Sequence, residues 1–136
     1  MNRKFVAALS CLALAGTGVG IAQAAPKTDS IGGIDRYDTA VQIAARTFTG
    51  HQDTVYIARG DLPVDALVAG QLTDGPVLLS PLGQVNPRTL QALQGYSPKE
   101  IIFLGKAFPA STINTYKTSG TQAWVWVGKT VRKLRL

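Results

Sequence analysis

The chain has 136 residues, one cysteine, one histidine and a formal net charge of +6. That length suits a single domain able to bury a core. The single cysteine, Cys11, excludes an internal disulfide and, with His51 as the sole histidine, zinc-ligand spacings; a Cys–His pair is excluded once Cys11 is removed with the leader read below.

Taken from the start, Arg3 and Lys4 precede an apolar stretch from Phe5 to Ile21, and Ala22-Gln23-Ala24 supplies a small-x-small cleavage pattern. Residues 1–24 therefore read as a signal peptide, too short and too rich in Ala and Gly for a retained membrane anchor. Ser10-Cys11 has the small residue of a lipoprotein site, but Ala8 and Leu9 stand in the wrong order for one. Cleavage after Ala24 removes Cys11 together with Arg3 and Lys4, which lowers the net charge from +6 to +4. Residues 25–30 read as a polar linker, 31–120 as one α/β module, and 121–136 as a basic, Trp-containing C-terminal strand or tail. Between Ala25 and Gly120 cations and acids balance, so the whole excess sits in Lys129, Arg132, Lys133 and Arg135. A basic tail on a neutral domain suits an anionic surface, and export makes nucleic acid the least fitting one.

Within the module, strand-length apolar runs alternate with segments of helical period. Thr54–Ala58, Pro76–Leu79 and Ile101–Leu104 are apolar throughout and read as buried strands. Thr39–Phe48, Val64–Leu72 and Pro87–Leu93 space their apolar residues as helices do, for example Val41, Ala44, Ala45 and Phe48. Asn86 before Pro87 is a capping side chain ahead of a proline at the first helical position; Asp61 and Ser111 are expected to cap in the same way. Strands apolar on both faces, alternating with helices, predict a small Rossmann-like parallel sheet with helices on both faces and right-handed crossovers. After Gly120, Trp124 and Trp126 alternate with Ala123, Val125 and Val127, as in a further strand with both indoles on one face. Two roles fit them: packing against the last helix or a neighbouring subunit, or stacking on sugar rings.

In an open parallel sheet, ligands gather at the carboxyl ends of the strands. Here those ends carry Arg59-Gly60-Asp61, Ser80-Pro81-Leu82-Gly83 and Gly105-Lys106, a set suited to phosphate or carboxylate groups. The competing explanation is that Gly60, Gly83 and Gly105 only permit tight turns. His51 lies in a loop and reads as exposed and inert. Asp35, Asp61 and Asp65 offer an alternative, an acidic cluster for a hard metal or for acid–base work. Asp65 near a helix start, however, needs no function to favour it. No catalytic constellation, metal site or cofactor motif is expected.

Four blocks carry a resemblance: IGGIDRYDTAVQIA (Ile31–Ala44), VYIARGDLPVDAL (Val55–Leu67), GPVLLSP (Gly75–Pro81) and KEIIFLGKAFPAS (Lys99–Ser111). Together they resemble the type 2 cell-wall-binding repeat of Gram-positive surface proteins and autolysin modifiers. The resemblance implies a Toprim-like or Rossmann-like α/β module, exported to the cell wall, that binds an anionic secondary polymer such as teichoic acid without catalysis. The candidate ligand residues are those of the strand ends, Arg59, Gly60, Asp61, Ser80, Gly105 and Lys106, together with Arg36, with Lys129, Arg132, Lys133 and Arg135 adding electrostatic attraction. The resemblance also implies two candidate partners. One is a cell-wall hydrolase; the other is two further copies of the chain, since relatives usually pack three modules around an axis. Lys106 departs from the family pattern, which commonly has a second glycine there, and TQAWVWVGKTVRKLRL replaces the start of a following repeat.

Overall fold

The computed structural model describes residues 28–105, 108–117, 120–127 and 130–133. The leader expected over residues 1–24, with Cys11, lies outside the described residues, as do Lys106, Lys129 and Arg135. The elements in chain order are α1 (Arg36–Thr47), β1 (Thr54–Arg59), α2 (Pro63–Ala69), β2 (Val77–Ser80), α3 (Pro87–Tyr96), β3 (Glu100–Leu104), α4 (Ala110–Tyr116), β4 (Gln122–Val127) and β5 (Thr130–Lys133). They form one five-stranded sheet in the order β2-β1-β3-β4-β5. The first four strands are parallel, and β5 runs antiparallel on β4. The fold is α/β, as the alternating apolar runs predict.

The strand order decides where the helices go. The chain steps from β1 to β2 in one direction, then back past β1 to β3 and on to β4 in the other. With crossovers of one hand, α2 must fall on one face of the sheet and α3 and α4 on the opposite face. The two apolar clusters show this division. One joins Ala44 of α1, Leu93 and Tyr96 of α3, and Ile113 and Tyr116 of α4 to Val55, Ile57, Ile101 and Phe103 of the sheet. The other joins Ala69 of α2 to Tyr56, Ala58 and Leu104, with Trp126 packed at its margin. Three helices thus seal one face, and the seven-residue α2 alone covers the other.

Local capping fixes the helix starts, and it corrects two expectations. Asn86 caps α3 as expected, accepting from Arg88 N at 3.0 Å and Thr89 N at 3.2 Å. Asp61 and Ser111 are not caps: the residues before α2 and α4 are Leu62 and Pro109, and neither makes a side-chain capping bond. The Asp61 carboxylate is taken by Arg59 instead, and Pro63 at the start of α2 has no N–H to satisfy. α1 begins at Arg36, three residues before the apolar period suggests, because Asp35 caps it by accepting from Asp38 N at 2.7 Å. The tryptophans share a face as predicted, but Trp126 packs with the α2 cluster. The last helix, α4, lies on the other face, against Phe103.

Buried phenols tie this core to alkaline pH. Tyr56 donates to the Asp74 carboxylate at 3.0 Å, and its pKa is pushed up to about 12, first by burial and then by that carboxylate. Burial also raises Tyr96 and Tyr116. Between the ordinary phenol value and these raised values the folded chain holds protons that the unfolded chain has released, so stability falls as pH rises. Denaturant midpoints taken at stepped pH should be flat from about pH 7 up to about pH 10 and then decline toward about pH 12, in step with tyrosinate absorbance. A native chain whose phenols all titrate at the ordinary value would contradict this packing.

Candidate functional site

The strand order reverses between β1 and β3, and the crevice at such a switch point opens at the carboxyl ends of the strands. Arg59, Gly60 and Asp61 leave β1 there, and the start of α1 is folded against them. Asp35 caps α1. Thr39 Oγ1 accepts from Gly33 N at 3.0 Å and donates to the Asp35 carbonyl at 2.8 Å. Asp38, nearly buried, accepts from Ile34 N and Gln42 Nε2, each at 3.1 Å, with the Arg88 guanidinium 3.8 Å away. A side chain at Gly33 would meet that carboxylate at 2.4 Å, so the loop lies directly against it.

This knotted turn delivers two residues to β1. Arg36 Nη1 donates to the Gly60 carbonyl at 2.8 Å. The Tyr37 ring lies over Gly60 so closely that a Cβ there would sit 2.4 Å from Cε1. Asp35-Arg36-Tyr37 and Arg59-Gly60-Asp61, far apart in sequence, therefore form one clasp. Gly60 is required for close approach, whereas Gly83, with φ +72° and nothing near its missing side chain, serves its turn alone.

Arg59 forks onto Asp61, with Nε 3.1 Å from Oδ1 and Nη2 on Oδ2. The pair holds the Asp61 carboxyl below the usual carboxylate range, chiefly through the hydrogen bond from Arg59. The Arg59 side chain is only 14% exposed. The partner of Arg59 is thus Asp61, two residues away on the same turn. Arg36 is the more exposed cation of the clasp.

Ser80 stands opposite Arg59 in the β1–β2 register but is completely buried. Its hydroxyl meets Tyr116 Oη at 2.9 Å, and that phenol oxygen accepts from Asn86 N at 2.9 Å. Ser80 therefore holds the β2–α3 loop onto α4 and presents no hydroxyl to solvent. Gly105, at φ +90°, lies on the other side of β1, where a Cβ would be 2.5 Å from the Asp65 carboxylate. The structure brings Arg36, Arg59, Gly60 and Asp61 together and sets Gly105 beside Asp65. Lys106 lies outside the described residues.

The alternative acidic cluster does not assemble. Asp35 caps a helix, Asp61 is held by Arg59 and Asp65 packs on Gly105; among the described residues no three acids, histidines or cysteines are grouped to hold a metal. The described cations of the tail are also separate from the clasp. Arg132 and Lys133 lie on β5, three strands from β1, which is about 14 Å across the sheet. Tyr37, Asp38 and Tyr116 organise the edge without having been singled out as site residues. The first two lie inside the IGGIDRYDT block, so the block itself was their only signal.

The profile of the cell wall binding domain 2 family matches residues 30–121. No curated protein and no solved structure matches the chain.

The clasp makes Gly60→Ala a steric test. The new methyl must displace the Tyr37 ring, at an expected cost of about 1–3 kcal/mol. Adding Tyr37→Ala should recover part of that loss, as a double-mutant cycle in urea would measure. Additive losses would mean that the ring does not lie on Gly60.

Proposed function

We propose how this chain, which belongs to the cell wall binding domain 2 family, carries out its binding: as an exported module that holds an anionic, teichoic-acid-like wall polymer at the clasp edge, without catalysis. The observation that carries this reading is the clasp itself. The most distinctive residues of the chain converge on the strand-order switch, where they fix Arg36 at the surface beside the Arg59–Asp61 pair. Arg36 supplies a planar, multidentate donor of the kind that phosphate recognition uses. Lys106, one residue beyond Gly105, is proposed as the second cation. Arg59 is given a positioning role, since its guanidinium is already neutralised by Asp61.

Such an edge is weakly charged overall. Arg36, Arg59 and Arg88 stand among Asp35, Asp38, Asp61 and Asp65, so long-range attraction is assigned to Lys129, Arg132, Lys133 and Arg135. Cations on a border strand have a second effect, because they discourage pairing with another chain. Since β5 is part of the sheet, neutralising these residues is a cleaner test than deleting them.

The reading also includes self-association. Val64 and Leu67 of α2 are 65% and 74% exposed, and Leu62 and Val68 extend the same apolar surface. A surface of that kind on a wall-bound module suits a further copy of the chain, with a closed trimer as the proposed form; a partner hydrolase is the alternative occupant. Light scattering over a concentration range tests it, and a monomer at tens of micromolar would remove the trimer.

Sedimentation with purified walls tests the ligand. Binding should be lost when acid extraction strips the anionic polymers. Arg36→Gln combined with Lys106→Gln should weaken it about tenfold or more. Replacing the four tail cations with Gln should matter mainly at low salt, because exposed charges are screened within about 8 Å at physiological ionic strength. Undiminished binding to extracted walls would rule out an anionic ligand.

A further inference from the structure

The two faces of the sheet are unequally covered, and the difference is greatest at β3 and β4. On the face sealed by three helices, Ile101 and Phe103 are fully buried. On the α2 face their neighbours Ile102, Trp124 and Trp126 are only half-buried. Register places Ile102 opposite Trp124 and Leu104 opposite Trp126, so both indoles lie on this thinly covered half. Two residues apart on one strand, they are about 6.6 Å from each other along it.

A cleft lies at each end of the pair. At the carboxyl end of the strands, Trp126 lines a cleft of about 240 Å³ with Asp65, Val68, Ala69 and Leu104. At the amino end, Trp124 lines one of about 460 Å³ with Asp53, Lys99, Glu100 and Gln122. The strip joining them follows the six residues of β4, or about 17–20 Å.

We infer that this strip is a second binding site, for an uncharged saccharide chain of about four sugar rings. Indole faces stack on the C–H faces of pyranoses, and the polar groups at the ends can accept from or donate to sugar hydroxyls. The charge of the two clefts disfavours phosphate, and the cation nearest the strip between them is Lys133, paired with Trp124 in the β4–β5 register. Asp65 stands at one end, Asp53 and Glu100 stand at the other, and the one cation among the lining residues, Lys99, is bound to Asp53 at 2.8 Å. The apolar wall of the first cleft, next to a carboxylate, matches an acetamido group, whose methyl is apolar and whose N–H donates. The site is therefore assigned to N-acetylated hexosamine chains. It rests on the wall-binding reading only for the source of such a chain.

Trp124 and Trp126 are the only tryptophans, so their emission reports on the strip directly. Titrating the purified protein with the N-acetylglucosamine tetramer should give a saturable change in emission. The glucose tetramer, lacking acetamido groups, should bind about tenfold more weakly. Trp124→Leu, which keeps an apolar side chain but removes the stacking face, should weaken binding at least about tenfold. Gln122→Ala, at an exposed position that leaves the core untouched, should weaken it several-fold and serves if Trp124→Leu does not fold. No emission change with sugar overturns the proposal. So does an emission change driven by protein concentration alone, which would show a second copy on this face, or a response to glycerol-phosphate oligomers in place of the sugar. Because the sugar is uncharged, the two readings fail separately. A protein that sediments with walls and ignores the tetramer loses this site and keeps the anionic one; a protein that binds the tetramer and sediments equally with extracted walls does the reverse.

Discussion

The contact on which the candidate site depends is the Tyr37 ring against the bare backbone of Gly60. It lets the first turn of α1 press onto the end of β1, and it brings Arg36 within 2.8 Å of the Gly60 carbonyl. The turn can hold that position because its own polar groups are satisfied: Asp35 caps the helix, Thr39 bridges back to Gly33, and Asp38 accepts two hydrogen bonds with the Arg88 charge nearby. At the neighbouring strand β2, Tyr116 of α4 does comparable work, joining buried Ser80 to the Asn86 amide. An edge built in this way is rigid before any ligand arrives, which limits the entropy lost on binding.

The same constraint explains which parts of the site could be read from sequence. The alternation of apolar runs and helical periods was sufficient for the parallel sheet, because strands buried on both faces leave a strong hydrophobic signal. Asn86-Pro87 was sufficient for one helix start. Asp61 looked equally suited to capping, yet it faces Arg59 across a tight turn, and side-chain pairing won over capping. Ser80 looked like a ligand hydroxyl because it ends a strand. Its hydroxyl is taken by the Tyr116 phenol reaching across from α4, a tertiary fact with no local signature. Arg59 was legible as a site residue but not as a neutralised one, since its partner depends on the turn geometry.

The tail shows the converse. Alternating Trp124 and Trp126 predicted a strand with both indoles together, and β4 is that strand. Their face could not be read, because it depends on the order β2-β1-β3-β4, which sends α2 to one side and the remaining helices to the other. Consequently the large indoles fall where only a seven-residue helix gives cover. Packing and surface display, posed as alternatives by the sequence, are combined in Trp126, which meets the α2 cluster with one part of its surface and lines a cleft with another.

The fold thus separates two chemistries: guanidinium donors at the carboxyl edge, and aromatic rings with carboxylates on the thin face. The central claim is that the clasp is where an anionic polymer docks. Amide chemical-shift mapping of the isotopically labelled protein, titrated with a glycerol-phosphate oligomer, tests it most directly. Shifts concentrated at Arg36, Tyr37 and Arg59–Asp61, with the two indole N–H signals unmoved, are the predicted result. Shifts confined to β4 and β5, with the clasp silent, would contradict it.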